Sequence, residues 1–148
     1  MEVVVKLLVY SIIYGLIFIN WIDLIPKAYG YGYHAWLILM YFMPFIVMVI
    51  IRGFENWEVA ISLGLLSSLM NDLFYAPVGM LLGWVKGVDL AEWYKFQLGF
   101  KGWEIGWYAD FGVFRVPVYS WLMGLTIYLR IVAVTLLMWR WLKRWGAR

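Results

Sequence analysis

The chain has no cysteine and a single histidine, His34. The first absence excludes disulfides, thiolate metal sites and cysteine nucleophiles. The second leaves a transition metal with little besides carboxylates, and these are not grouped along the sequence. No zincin motif, phosphate-binding loop or Ser-His-Asp set is present. Haem ligation by His34 has no second feature behind it, and a histidine at the start of an apolar run suits an interface position. No cofactor is indicated. Charge is also scarce. Asp, Glu, Lys and Arg make up 14% of the residues, against about a quarter in soluble domains.

Apolar residues are abundant instead, at 66%, with 11 Trp and 11 Tyr. So few charges cannot cover that much apolar surface in water. A bilayer removes the requirement, which makes lipid the expected partner. Trp and Tyr favour the headgroup region, where the ring is buried and its polar edge stays wet. The net charge of +3 reads as Lys and Arg flanking spans, so no nucleic-acid partner is expected.

The pattern predicts an all-α fold: one integral membrane bundle, residues 1–148, of about four transmembrane helices. An interfacial, aromatic-rich segment is expected between the third and fourth. The first span covers about 3–25. Its apolar run is longer than a signal-peptide core and no small-residue cleavage pattern follows, so it is expected to remain uncleaved. Asn20 and Asp23 mark its far end, and Tyr29 to Tyr33 read as an aromatic turn. The second span, 34–51, is expected to kink at Pro44, which is tolerable if a neighbour satisfies the freed carbonyl.

The third span, 57–85, is the anomaly. At 1.5 Å per residue it is roughly 40 Å long, while the hydrocarbon core is about 30 Å. The excess requires tilt, a kink or a break, and Pro77 with Gly79 marks the place. Residues 86–115 alternate charge with large aromatics. Asp89, Glu92 and Lys95 set one polar helix face opposite Leu90, Trp93, Tyr94 and Leu98. The glycine-rich remainder reads as irregular. The fourth span covers 116–139, and a basic, Trp-rich tail follows.

Glu58, Asp72 and Arg130 stand out among the ionisable residues inside or at the ends of spans. A charge in hydrocarbon costs at least about 2.5 kcal/mol on insertion scales, so each needs a partner, a cavity or water. Glu58 and Asp72 lie on one helix face with Ser62, Ser68 and Tyr75. A stripe of that kind should face protein or water. It reads either as helix-to-helix glue or as a ligand site formed by Asp72, Asn71, Arg130, Glu58, Ser68 and Tyr75. Glu58 also reads as a wet first-turn acid, favoured by the helix dipole. If the third span is continuous, Asp72 and Arg130 lie at similar depth and can pair. If it ends at Ala76, they are offset along the membrane normal. Glu92, Glu104 and Asp110 among tryptophans suit sugar or cation binding, or an ordinary interfacial loop.

The stretch Gly64-Leu65-Leu66, Asn71-Asp72-Leu73 and Pro77-Val78-Gly79 resembles the glycine, leucine, Asp and Pro/Gly run of MreD-like proteins and related small-molecule uptake components. The resemblance implies a helix break at Pro77 and a weaker Asp72–Arg130 pair. It covers only a short part of the chain, and no family is assigned on it.

The expected function is a binding or transport component with a polar intramembrane site on spans 3 and 4. The alternatives are an assembly subunit whose polar residues are glue, and an intramembrane lipid-modifying enzyme using Glu58 or Asp110. Enzymatic activity is the weakest reading, because no two candidate groups are fixed close together by the sequence. Four spans hardly enclose an aqueous path alone, so a homo-oligomer or a partner membrane protein is expected. The plasma membrane is the expected location, and the Lys and Arg near the span ends favour both termini in the cytoplasm.

Overall fold

The computed structural model describes residues 2–24 and 32–146. The predicted aromatic turn lies mostly outside these, as does the end of the first span. Among the described residues four helices are long and apolar enough to cross a membrane. They are α1 (Glu2–Leu24), α2 (Tyr33–Arg52), α3 (Trp57–Leu81) and α5 (Ser120–Gly146). Between α3 and α5 lie a short helix α4 (Leu90–Gln97) and an antiparallel hairpin, β1 (Ile105–Asp110) with β2 (Arg115–Tyr119). The fold is the expected all-α bundle with a minor sheet.

The central helix is α3. In its third span 56% of the most apolar stretch is buried, against 17%, 17% and 22% in the other three. The outward faces of those three carry exposed Val3, Ile17, Ile50, Ile51, Leu129 and Val132. Apolar surface on that scale suits lipid.

In α1 a π-helical turn, Tyr14–Ile19, interrupts the α-helix. Here Gly15 lies directly on α3: a Cβ at this position would sit 2.3 Å from the Ser67 carbonyl oxygen. Ser11 Oγ donates to the Leu63 carbonyl at 2.7 Å and lies 3.0 Å from Ser67 Oγ. A π turn changes the angular phase of the residues beyond it. Asn20 is fully buried, and its Nδ2 donates to the Gly15 and Leu16 carbonyls at 3.2 and 3.0 Å.

Pro44 deprives the Met40 carbonyl of its normal helical donor. The Tyr14 hydroxyl supplies a replacement at 2.8 Å, so α2 runs unbroken from Tyr33 to Arg52. Gly53, at φ 103°, ends it, and Asn56 Nδ2 donates to the Arg52 and Gly53 carbonyls, both at 3.2 Å.

α3 is continuous through Pro77, so the break at Pro77 does not occur. The helix stops at Leu81 instead of 85. Gly83, at φ 72°, reverses the chain, and the Trp84 and Val85 amides donate to the Gly79 carbonyl. At 25 residues the helix is still about 37 Å long, so tilt takes up the rest of the length excess.

The region between α3 and α5 also differs from expectation. Residues 105–119 form a hairpin where irregular chain was expected, and α5 begins at Ser120, not 116. Alternating side chains at Val116 and Val118 suit an edge strand, and a two-stranded hairpin has the free edge that Pro117 requires. α4 is capped by Asp89, whose Oδ1 accepts from the Ala91 and Glu92 amides at 2.8 and 3.4 Å. Buried Phe96 anchors α4 to Leu69, Met123 and Ile127. Ser120, fully buried, accepts from the Lys101 amide at 3.1 Å and donates to the Phe96 carbonyl at 2.8 Å. The segment is therefore a roof fastened to the start of α5.

Candidate functional site

Adjacent residues on α3 serve two different neighbours, because successive side chains on a helix point about 100° apart. Asn71 faces α1 and α2. Its Oδ1 accepts from the Tyr41 hydroxyl at 2.6 Å, and its Nδ2 donates to Asn20 Oδ1 at 2.9 Å and Asp23 Oδ2 at 3.1 Å. The Tyr33 hydroxyl donates to Asp23 Oδ1. Asp72 faces α5, where Arg130 Nη1 lies 2.6 Å from its Oδ2. Arg130 Nη1 also donates to Ser68 Oγ at 3.0 Å, Nε to the Thr126 carbonyl at 3.1 Å, and Nη2 to Thr126 Oγ1 at 3.3 Å. This is the pairing expected of a continuous third span.

The ion pair borders a cavity of about 850 Å³, within the range of ligand pockets, about 300–1,000 Å³. Its polar lining includes Asp23, Ser68, Asn71, Asp72, Thr126 and Arg130. Its walls come from α2, α3 and α5, and α4 and the hairpin contribute Trp93, Gln97 and Trp107. Tyr75, Trp93 and Trp107 stack in sequence, with ring centroids 5.9 and 6.4 Å apart. Each of α2 and α5 packs against α3, and neither packs extensively on the other. The space between α2 and α5 is where the cavity lies.

Five of the six residues named from sequence line this cavity: Asn71, Asp72, Arg130, Ser68 and Tyr75. Glu58 does not. It sits 14 residues before Asp72, which is about 21 Å along the helix axis. It is 1% exposed, so the wet first-turn acid is a misreading. Its Oε1 lies 3.3 Å from Arg140 Nε, and its Oε2 is bound by Arg144. The cause is the length of α5, which continues past Trp139 and carries both arginines over the start of α3. Trp141, from the same turn, donates to Asn56 Oδ1 at 3.4 Å.

At the other end, Asp110 closes the hairpin. Its carboxylate accepts from the Gly112 amide at 2.7 Å, the Gly32 amide at 3.2 Å and Arg115 Nε at 2.9 Å. The Asp110 amide donates to His34 Nδ1 at 2.8 Å, tying the hairpin to the start of α2. The Gly112 amide is the main influence holding the Asp110 carboxyl below the usual range, with help from Gly32 and Arg115. Glu92 pairs with Lys95 at 2.7 Å and with Lys101 at 3.1 Å, and Lys101 pairs with Glu104 at 3.2 Å. Lys95 leads in drawing the Glu92 carboxyl down, and Glu92 leads in raising the Lys101 ammonium. These outer acids thus have ionic partners within their own segment. Among the described residues no group of three His, Cys, Asp or Glu is placed to hold a metal.

Tyr33, His34, Tyr41, Trp93, Gln97, Trp107 and Thr126 belong to the cavity but were not singled out as site residues. The readable signal for Tyr41 was a phenol inside a span, since a buried hydroxyl needs a partner. Asn20 and Asp23 read from sequence only as an end marker, because the π turn before them has no sequence signature. No protein-family model, curated protein or solved structure matches the chain.

Proposed function

We propose that this is a multi-pass protein of the plasma membrane that binds a small ligand in the cavity between α2 and α5, as a binding or transport component. One observation carries the reading: a space of about 850 Å³ borders a charged pair placed inside apolar helices. Ionisable residues inside a membrane span are rare and costly, and they mark binding sites and pathways. The roles assigned are polar contacts from Asn71, Asp72, Ser68 and Arg130, with Tyr75 as an aromatic wall. Glu58 is assigned to structure. Transport would need an oligomer or a partner chain to complete a path.

Both termini are assigned to the cytoplasm. In the sequence Lys6, Arg52, Arg140, Lys143, Arg144 and Arg148 fall on the Glu58 side, while Lys27, Lys86, Lys95, Lys101 and Arg115 fall on the other, spread over longer segments.

The test is binding of the fluorescent probe 1-aminoanthracene to the protein in lipid nanodiscs. Saturable enhancement above empty discs, abolished by a cavity-filling Ala109→Trp, supports the reading. Enhancement equal to that of empty discs refutes it.

A second reading has its own observation. Asn71 is hydrogen-bonded to α1 and α2, and Asp72 is paired to α5. That is the pattern of helix glue in an assembly subunit. It predicts that Asp72→Asn changes stability or association and leaves probe binding intact. The lipid-modifying enzyme, with Glu58 or Asp110 as acid or base, is not favoured, since Glu58 is held by Arg140 and Arg144 and Asp110 by Gly32, Gly112 and Arg115.

A further inference from the structure

We infer that the cavity's ligand is a lipid alcohol, a hydrophobic chain ending in an uncharged hydroxyl head. The inference rests on the binding reading and adds the ligand's chemistry to it. Two side-chain atoms in the described structure are buried with no hydrogen-bond partner: Trp93 Nε1 and Gln97 Oε1. Both residues line the cavity. They stand four positions apart on α4, which puts them on one face, a turn from each other. Buried polar atoms are nearly always satisfied, and leaving one bare is costly. Gln97 is 1% exposed and lines the cavity, and its carbonyl oxygen is without a partner, which points to an occupant that donates to it.

The pair is one donor and one acceptor, which narrows the chemistry. A hydroxyl both donates and accepts, so it matches Gln97 and Trp93 together. A carboxylate or phosphate only accepts and would face the Gln97 oxygen as like against like. An ammonium only donates and would leave Trp93 Nε1 idle. The charged floor does not recruit an anion either. Of the five N–H donors of a guanidinium, Arg130 spends one from Nε, two from Nη1 and one from Nη2 on Asp72, Ser68 and Thr126.

The remainder of the ligand is set by the walls. Ile38, Leu65, Leu122, Val116 and Val118 line the space with the stacked Tyr75, Trp93 and Trp107. Ile38 is also exposed on the outer surface of α2. An alkyl or prenyl chain fits this path between α2 and α5 and can continue into lipid.

The experiment is displacement of 1-aminoanthracene from the protein in nanodiscs by five probes: dioctanoylglycerol, geranylgeraniol, the acetate esters of both, and dioctanoyl phosphatidate. An acetate keeps an acceptor and loses the hydroxyl donor. Both alcohols should displace the dye about tenfold better than their acetates, the worth of one hydrogen bond, and better than the phosphatidate. The stronger alcohol distinguishes a glycerolipid from a prenyl source. Gln97→Leu should erase the alcohol-over-acetate preference while leaving the unfolding midpoint unchanged or raised, because it removes an idle carbonyl. Trp93→Phe should weaken alcohols and acetates alike. Equal displacement by alcohol and acetate, or preference for the phosphatidate, overturns the inference. A lower unfolding midpoint in Gln97→Leu with selectivity retained also overturns it. A dye that binds but yields to none of the probes sinks the inference alone. A dye that never binds removes the binding reading as well.

Discussion

Replacing Arg130 with methionine isolates the ion pair. The guanidinium is 15% and the Asp72 carboxylate 23% exposed at the side chain, so the pair is largely shielded. Removing one member of a buried pair costs about 3–5 kcal/mol, because the other charge is left uncompensated. The lower end applies here, since Asp72 borders a cavity that can admit water. The lost hydrogen bonds add little. Ser68 Oγ already donates to the Leu65 carbonyl at 2.8 Å and Thr126 Oγ1 to the Met123 carbonyl at 2.9 Å. Adding Asp72→Leu to Arg130→Met should return stability to within about 1 kcal/mol of the wild type, since a packed apolar pair often equals a buried ionic one. Reversible unfolding in mixed micelles, followed by far-UV circular dichroism, measures both variants. An Arg130→Met protein within about 1 kcal/mol of wild type, or a double variant no better than the single, would refute the reasoning.

Three further outcomes follow from the packing and charge. Gly15→Ala places a Cβ 2.3 Å from the Ser67 carbonyl oxygen and 2.7 Å from its Cα. Backbone cannot swing aside, so the α1–α3 contact should weaken by about 1–3 kcal/mol, read as a lower unfolding midpoint. The Asp110 carboxyl is held below its ordinary value, about 3.9. Its grip on the hairpin is therefore whole above that value and lost as pH falls through the folded one. Exchange of the Gly32 and Gly112 amides should accelerate at acid pH beyond the intrinsic trend, and in Asp110→Asn that extra acceleration should vanish. Because the chain has no cysteine, single cysteines report sidedness cleanly. Phe54→Cys and Val113→Cys, at positions 78% and 84% exposed, should label with an impermeant maleimide from opposite faces of oriented vesicles.

What could be read from the sequence was whatever composition or helical spacing encodes locally. Four apolar runs gave four helices, and the polar stripe on α3 faces protein, with Ser62, Ser68 and Asn71 buried. The Asp72–Arg130 pair followed from depth alone, once α3 was taken as continuous. The resemblance around Pro77 pointed the other way, and the helix does not break there. The hairpin was missed because Gly112 in its turn and Gly99 and Gly102 just before it, all at positive φ, made the segment read as irregular. Glu58 was misplaced because its partners, Arg140 and Arg144, lie more than 80 residues away. Gln97 carried no signal: only the folded roof shows that its carbonyl is buried and idle.

The central claim is that α3 and α5 bring Asp72 and Arg130 together beside the cavity. Rotational-echo double-resonance NMR between Asp72 13Cγ and Arg130 15Nη, on protein in lipid bilayers, measures that directly. The structure, with Nη1 2.6 Å from Oδ2, predicts strong dephasing at the separation of a direct ion pair, lost in Asp72→Leu. No dephasing in the wild-type protein would contradict the account.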